Sequence, residues 1–390
     1  MTKVYLIRHA EAEGNLYRRV HGQYDSLITD NGYRQLAALA QRFADVPLDA
    51  VYSSDLFRAV TTARAVAEPK GLTVHTRPDL RELNMGSWED RSFAGLDRSD
   101  KAMMRLFYAS SPDFQAPGGE SLWQVRQRGM AAVLEIAAKH PSQTVAVFAH
   151  GTFIRNTIAG FLNIPIEEVS KMGHSDNTAV ACLEIQGDQV LVLYRDDNSH
   201  LPAELSTLGR QFWWRKDSQQ RDINLWFRPM DPANPQDQSF YLDCRKEAWE
   251  SLYGRLDRYD GSAFLQEAKL VCQRDPQSLV AAMDHDEPVG LLQLDLDRGS
   301  TPTTGYISFF YLVPALRRKG CGVQLIGKSV SIYRPLNRDR LELVCSEANG
   351  HALAFYEKYG FQITGQRDGA YGKLFTMEKY IGYGQPGAAQ

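Results

Sequence analysis

Two domains joined in one chain, the first a layered α/β domain with a mainly parallel sheet, are what this sequence predicts, on three observations. The chain has 390 residues, against roughly 100–200 for a typical domain. Over about the first 205 residues, short apolar runs alternate with amphipathic stretches, the pattern of strands whose sheet is covered by helices. Beyond that point the pattern changes, and shorter helices and strands follow in a different order.

The elements can be justified in turn. Val4-Tyr5-Leu6-Ile7 is a continuous apolar run, suited to a strand buried on both faces. Asp30 is placed to cap a helix carrying Leu36, Leu39, Ala40 and Phe43 at helical spacing. Residues 49–54 form a second strand, and 55–68 a helix capped by Ser54 or Asp55. A third strand covers 72–76, a long amphipathic helix 121–140, and an almost wholly apolar fourth strand 144–149 before His150-Gly151. Residues 179–185 and 189–195 read as a hairpin around Gly187-Asp188. In the second half, helices are expected near 240–257 and 261–273, and a hairpin over 279–296. Then come a strand (306–313), a helix (322–334), a strand (340–347), a helix (351–359) and a last strand (373–381). The expected organisation is a domain over 1–205, a linker over 206–221, a domain over 222–382 and a tail over 383–390.

Composition narrows the function. Hydrophobic residues make up 43% and charged residues 23%, enough apolar content for each half to bury a core unaided. The net charge of -3 supplies no basic field for nucleic acid or anionic membrane. The five cysteines are odd in number and lack CxxC spacing, which argues against a disulfide framework or a zinc site and fits a reducing compartment. The N-terminal apolar stretch is too short for a signal-peptide core, and nowhere do about 18 apolar residues run together. A cytoplasmic protein without metal is the expectation.

Polar residues at strand ends carry the first chemistry, because ligands of open α/β sheets bind beyond the carboxyl ends of the strands. Arg8 and His9 follow the first strand, Arg58 opens the helix after the second, and His150-Gly151 closes the fourth. Arginine offers a planar fork of donors for phosphate oxygens. A neutral histidine can attack phosphorus and carry the phosphoryl group, and a second can stabilise charge on its oxygens. Glu82, in LRELNMGSWED, is the first candidate for the acid and base, with Glu11, Glu13 and Glu89 as competitors. His21, His75, His140, His174 and His200 are read as structural or surface residues.

RHAEAEGN, LITDNG, SSDLFRAVTTA, LRELNMGSWED, GGES and FAHGTFIRN occur here in order. With these motifs, residues 1–205 resemble the histidine phosphatase (phosphoglycerate mutase-like) superfamily. The resemblance implies a three-layer α/β/α domain and a phosphorylated His9. It implies a phosphate pocket of Arg8, Arg58, His150 and Gly151, Glu82 as proton donor and acceptor, and Asn15 and Gln23 lining the pocket. A small-molecule phosphomonoester is the implied substrate. The segment between Trp88 and Gly118, about thirty residues, is short for the lid a mutase needs, which favours hydrolysis over a phosphoglycerate-type mutase.

The second constellation is YISFFYLVPALRRKGCGVQLIGKSV, a strand, a glycine loop and a helix. Glycines there let backbone N–H groups approach an anion at the helix N-terminus. The motif fits neither a Walker loop nor a dinucleotide fingerprint. With ANGHALAFYEKYGF downstream, residues 222–382 resemble the GNAT acetyltransferase superfamily. The resemblance implies an α+β domain with a mixed, mostly antiparallel sheet, and acetyl-CoA as co-substrate. The pantetheine would pair with the backbone of Tyr311, Leu312 and Val313. The diphosphate would lie on the amides of Arg318, Lys319, Gly320, Cys321, Gly322 and Val323. Asn349 would touch the coenzyme, and Tyr356 would protonate the departing thiolate. An amine, on a small molecule or a protein, is the implied acceptor. No base for it stands out among Asp295, Glu342 and Glu347, so a non-catalytic module that senses acyl-CoA and regulates the phosphatase is the alternative.

Overall fold

The computed structural model describes residues 1–212, 214 and 222–384. The chain divides into two compact units, Met1–Asp222 and Ile223–Gln390.

In the first unit β1 (Thr2–Arg8) leads through the short α1 (Glu13–Tyr17) to α2 (Asp30–Phe43), β2 (Ala50–Ser54), α3 (Phe57–Ala67) and β3 (Val74–Arg77). Then come α4 (Phe93–Ser99), α5 (Lys101–Tyr108), α6 (Leu122–Lys139), β4 (Thr144–Ala149), α7 (Gly151–Phe161), β5 (Val180–Gln186) and β6 (Gln189–Asp197). The strands form one sheet in the order β3-β2-β4-β1-β5-β6. The first four are parallel, and β5 and β6 are antiparallel additions at one side. The continuous apolar run of β1 is explained by its two-sided burial. Val4 and Leu6 join the cluster of Val133 and Ile136 from α6 and Phe153 from α7. Ile7 joins Leu39 and Phe43 from α2 and Ala63 and Val66 from α3. Helices therefore cover both faces, which is why the middle of β1 is apolar on both sides.

Capping differs from the sequence expectation. Thr29, not Asp30, caps α2, its hydroxyl accepting from the Gly32 N–H at 3.0 Å. A threonine hydroxyl reaches the N3 amide from the residue before the first turn, whereas Asp30 already lies within that turn. Leu56 occupies the N-cap of α3 without a side-chain bond. The Asp55 carboxylate is instead held by both arms of Arg81, and the Ser54 hydroxyl accepts from the Leu56 N–H at 3.3 Å. The start of the segment expected as a linker, 206–221, packs into the first unit. Thr207 is buried, and its hydroxyl donates to Glu11 at 2.9 Å, while the amides of Thr207 and Leu208 donate to Asp176. Of the linker, Trp213 and residues 215–221 lie outside the described residues, as does 385–390 of the expected tail.

The second unit runs β7 (Trp226–Pro229), α8 (Pro235–Tyr253), α9 (Gly261–Arg274), β8 (Leu279–Asp284), β9 (Glu287–Asp295) and β10 (Thr304–Leu312). It closes with α10 (Val323–Tyr333), β11 (Arg340–Ser346), α11 (Gly350–Lys358), β12 (Gln362–Gly369) and β13 (Gly372–Tyr380). Its seven strands lie in the order β12-β13-β11-β10-β9-β8-β7. Every neighbouring pair is antiparallel except β10 with β11. That parallel pairing covers only Thr304 to Ile307. Beside its end, the β9 pairing skips Ser308 in a bulge between Ile307 and Phe309. A bulge re-aims a strand, so β10 leaves β11 halfway along its length and opens a cleft in the sheet. Strand β12 was invisible in the sequence, because QITGQRDG is an exposed edge strand with little apolar alternation. No described helix is long and apolar enough to cross a membrane.

Candidate active site

Strand register creates the first site. Arg8 of β1 lies opposite Ala149 of β4, and the His9 N–H donates to the Ala149 carbonyl at 3.0 Å. The residues that follow the two strands, His9 and His150, therefore emerge together, with ring centroids 5.1 Å apart. His9 Nδ1 lies 2.7 Å from the Ala10 carbonyl oxygen. A carbonyl only accepts, so the proton sits on Nδ1 and the lone pair on Nε2. Burial first, then the charges of Arg58 and Arg8, hold His9 well below its ordinary value of 6.5. The ring is thus a neutral imidazole at neutral pH, which is the nucleophilic form. His150 is fully buried, neither ring nitrogen has a hydrogen-bond partner among the described residues, and burial and Arg58 likewise hold it well below 6.5.

Two guanidiniums wall the same space. Arg58, in the first turn of α3, is 1% exposed and donates to the carbonyls of Tyr24 (2.9 Å), His21 (3.2 Å) and Gly22 (2.6 Å). Arg8 donates from Nη1 to the Ser175 carbonyl, while its buried Nε has no partner among the described residues. Gly151 matters here, since a Cβ at that position would meet Arg8 Nε at 3.2 Å. Glycine lets the first turn of α7 close onto the guanidinium. The Arg8 Nε and both His150 ring nitrogens, unpartnered among the described residues beside the N-terminus of α7, are a donor set of the kind that suits an oxyanion.

The carboxylates separate by their partners. Glu82 Oε1 accepts from Phe153 N (2.8 Å) and Leu83 N (2.9 Å), and Oε2 from Thr152 N (3.0 Å). Oε2 thus retains the freer lone pair, at the N-terminus of α7 next to His150. Glu89 is consumed by four backbone amides, those of Gly22, Gln23, Tyr24 and Met85. Glu11 accepts from Thr29, Asn31, Thr207 and Arg210, and Glu13 from Leu27 N. Of the four candidates, Glu82 is the one this geometry brings to the His150 side of the pocket. Gln23 Nε2 donates to the Glu82 carbonyl at 3.2 Å, and Asn15 Oδ1 accepts from Ala12 N at 3.1 Å. Sequence reading missed Thr62, which accepts from Ala10 N and donates to the Arg58 carbonyl, and Asn177, whose Nδ2 donates to the His9 carbonyl. Thr62 lies within the SSDLFRAVTTA motif, one turn after Arg58, and that i+4 spacing was the available signal; Asn177 lies in none of the motifs that carry the resemblance.

The cleft of the second unit holds the other set. Val313 donates its N–H to Val289 on the β9 side. By the alternation of an antiparallel ladder, Tyr311 shares that side, which leaves the backbone of Phe310 and Leu312 facing the gap. This shifts the expected pairing of a pantetheine away from Tyr311 and Val313. The Leu312 carbonyl also accepts from Arg317 Nε at 2.9 Å. Gly320 has φ +79, a left-handed conformation that glycine adopts without strain. Gly322 is the N-cap of α10 and makes no side-chain cap, so the helix start is reached by backbone alone. Arg318, Lys319 and Cys321 complete this loop ahead of Val323, the first residue of α10. Asn349 caps α11, accepting from Ala352 N at 3.1 Å. Tyr356 is buried among Phe310, Phe355 and Phe361, and burial pushes its hydroxyl far up, so it is a neutral O–H.

The first unit is an α/β/α domain in which His9, His150, Arg8 and Arg58 gather at the carboxyl ends of β1 and β4 and the start of α3. The family model described as "Histidine phosphatase superfamily (branch 1)" matches residues 4–198, and that of the "Acetyltransferase (GNAT) family" matches 240–361. A "Probable phosphoglycerate mutase GpmB" of Proteus mirabilis is 34% identical over 42% of this chain and 77% of its own length. That of Cronobacter sakazakii is 33% identical over the same shares. The solved structure of Bacillus stearothermophilus YhfR superposes with a TM-score of 0.50 at 29% identity, covering 51% of this chain and 99% of its own. The chain belongs to the histidine phosphatase superfamily and carries a GNAT acetyltransferase domain behind it.

Proposed function

We propose that the first unit hydrolyses a small phosphomonoester through phosphorylated His9, and that the second moves an acetyl group from acetyl-CoA to an amine. The observation that carries the first reading is the His9 Nδ1–Ala10 contact, which leaves Nε2 unprotonated beside His150, Arg8 and Arg58. In the first half-reaction the Nε2 lone pair forms the N–P bond as the P–O bond to the alcohol breaks. The departing alkoxide takes a proton from Glu82 Oε2. In the second, Glu82 takes a proton from water as the water oxygen attacks phosphorus, and His9 leaves with its electron pair. Arg8, Arg58 and His150 meet the charge on the three phosphoryl oxygens. Asn15 and Gln23 line the same pocket. The domain division at residues 205, 222 and 382 belongs to this reading.

The name of the curated relatives favours a second reading for this unit, phosphoryl exchange within a phosphoglycerate. The span from Trp88 to Gly118 holds only two short helices, α4 and α5, to cover the pocket, which favours water as the acceptor. A panel of phosphorylated metabolites assayed with wild type and His9→Ala tests the mechanism; equal activity in the two proteins rejects it. Phosphate release without isomerised product separates hydrolysis from exchange.

For the second unit, the open β10 edge at Phe310 and Leu312 and the backbone of residues 318–323 suit a pantetheine and a diphosphate. Acetyl-CoA bound there supplies a thioester, so the amine gains acetyl and loses a proton while coenzyme A departs as a thiol. Tyr356 holds the proton available to that thiol. The alternative, a regulatory acyl-CoA sensor, predicts coenzyme binding that alters phosphatase rate with no amine acetylated.

A further inference from the structure

On the α8/α9 face of the second unit lies a buried cation with no counter-charge among the described residues. Arg245 of α8 is 8% exposed. Its Nε donates to the Tyr241 hydroxyl at 3.0 Å and its Nη2 to Gln293 Oε1 at 2.8 Å. The guanidinium carbon lies 3.9 Å from the Phe309 ring centroid, 4.5 Å from Phe264 and 5.4 Å from Tyr241. Among the described residues no carboxylate comes within ion-pair distance of it. Tyr241 supplies no negative charge, because burial raises its hydroxyl to about 12. Glu267, on α9, acts on the Tyr241 hydroxyl but makes no ion pair with Arg245. Buried charges in proteins are normally paired, since an unpaired one forfeits its hydration.

Further unspent donors surround this cation. Gln293 is fully buried. Its Oε1 must face Arg245, which has only N–H donors to offer, so Nε2 is fixed in orientation and has no partner among the described residues. Among the described residues Trp249 Nε1 is buried and unpartnered, as is the Ser308 hydroxyl. Arg245 and Trp249 are four residues apart on α8 and share one face, with Phe264 packed against both. Gln293 pairs in register with Phe309, next to the Ser308 bulge where β10 leaves β11. The site thus adjoins the cleft that the acetyltransferase reading assigns to the thioester end of the coenzyme.

We infer that Arg245, Gln293 and Trp249 form the recognition pocket for the acetyl acceptor, and that this acceptor is an amine bearing an anionic carboxylate or phosphate group. The inference rests on the acetyltransferase reading and names its substrate class. An anion entering the pocket would take Arg245 Nη1, Gln293 Nε2 and Trp249 Nε1 as donors, and the aromatic rings would flank its carbon skeleton. A charge-assisted pair desolvated in this way is worth about tenfold to a hundredfold in affinity.

The full chain with acetyl-CoA is assayed for thiol release against butylamine, 4-aminobutanoate and O-phosphoethanolamine. At least one anionic amine is expected to exceed butylamine by about tenfold or more in kcat/KM, and which one identifies the group. Arg245→Met raises KM for that amine to the level of butylamine and leaves coenzyme affinity unchanged, while Arg245→Lys keeps part of the preference. Equal use of butylamine and both anionic amines, unaltered by Arg245→Met, overturns the inference and leaves the acetyltransferase reading intact. Calorimetric titration of the coenzyme A complex with each amine reads binding without turnover. Binding of an anionic amine that Arg245→Met abolishes supports the pocket even if nothing is acetylated, a result that would sink the acetyltransferase reading alone. No binding of either anionic amine to the wild-type complex overturns the pocket.

Discussion

His9 and His150 face each other across the ends of two parallel strands, their ring centroids 5.1 Å apart and their planes inclined by 57°. Only His9 has its Nδ1 fixed by a backbone carbonyl, so the two imidazoles are not equivalent. His9→Ala should therefore lower phosphomonoester hydrolysis by about three orders of magnitude or more. It should also abolish acid-labile phosphate on the protein after rapid quenching. Mass spectrometry of the quenched enzyme checks this, and a phosphoryl group found on His150 instead would reverse the assignment.

Glu82 differs in what its loss should do. Glu82→Gln removes the transferable proton and should slow hydrolysis of alkyl phosphates by about 10²–10⁴. An aryl phosphate, whose leaving group needs little protonation, should lose far less in the first step. Burst kinetics on both substrates read the difference; an equal loss on the two would remove Glu82 from the acid role.

Glu89 is expected to act by positioning. Its carboxylate gathers the amides of Gly22, Gln23 and Tyr24, in the same loop whose carbonyls hold Arg58. Glu89→Ala leaves several of these donors without acceptors and should cost about 2–4 kcal/mol of stability. It should raise the KM for phosphomonoesters more than it lowers kcat. Denaturant titration and steady-state kinetics together test this.

Acid should destabilise the first unit. Burial, and then neighbouring guanidiniums, hold His9 and His150 well below 6.5 and bring His174 and His200 to about 4. Below pH 6.5 these histidines take up protons in the unfolded chain before they do in the folded one. Unfolding then binds protons, so stability falls as pH drops through the window from 6.5 to about 4 and is unaffected by these groups above it. Denaturant midpoints measured from pH 8 to 4.5 should be flat at first and then decline; a rise on acidification would contradict the burial argument.

Tyr356 separates enzyme from sensor in the second unit. Its neutral hydroxyl is buried beside Phe310, and the acetyltransferase reading makes it the proton donor. Tyr356→Phe should lower the rate of acetyl transfer about tenfold or more while leaving coenzyme affinity unchanged. If acetyl-CoA alters the phosphatase rate and Tyr356→Phe changes nothing, the regulatory reading gains.

The elements of the first unit were largely legible because they obey local periods. The run Val4 to Ile7 must be a strand covered on both sides, and α6 has a helical stripe that shows in any window. Chemical punctuation at strand ends was equally local: Arg8-His9 and His150-Gly151 each interrupt an apolar run. Edge strand β12 was not legible, since an exposed strand at the sheet margin needs no apolar alternation. The cap at Thr29 escaped because Asp30 is also a good capping residue, and only the position of the first helical turn decides between them.

The sequence by itself determined which residue types stand at the ends of which strands, because burial of a strand or helix face is written in side-chain period. Tertiary structure alone decided that β4 lies beside β1, so that His150 meets His9, and that the Ala10 carbonyl sets the His9 tautomer. It also decided which carboxylates are consumed by backbone amides, and that Arg245 is buried with no counter-ion among the described residues. The physical reason is one of range. Periodicity reports the environment a segment needs, whereas strand order, register and hydrogen-bond partners depend on segments far apart in the chain, chosen by how whole faces pack.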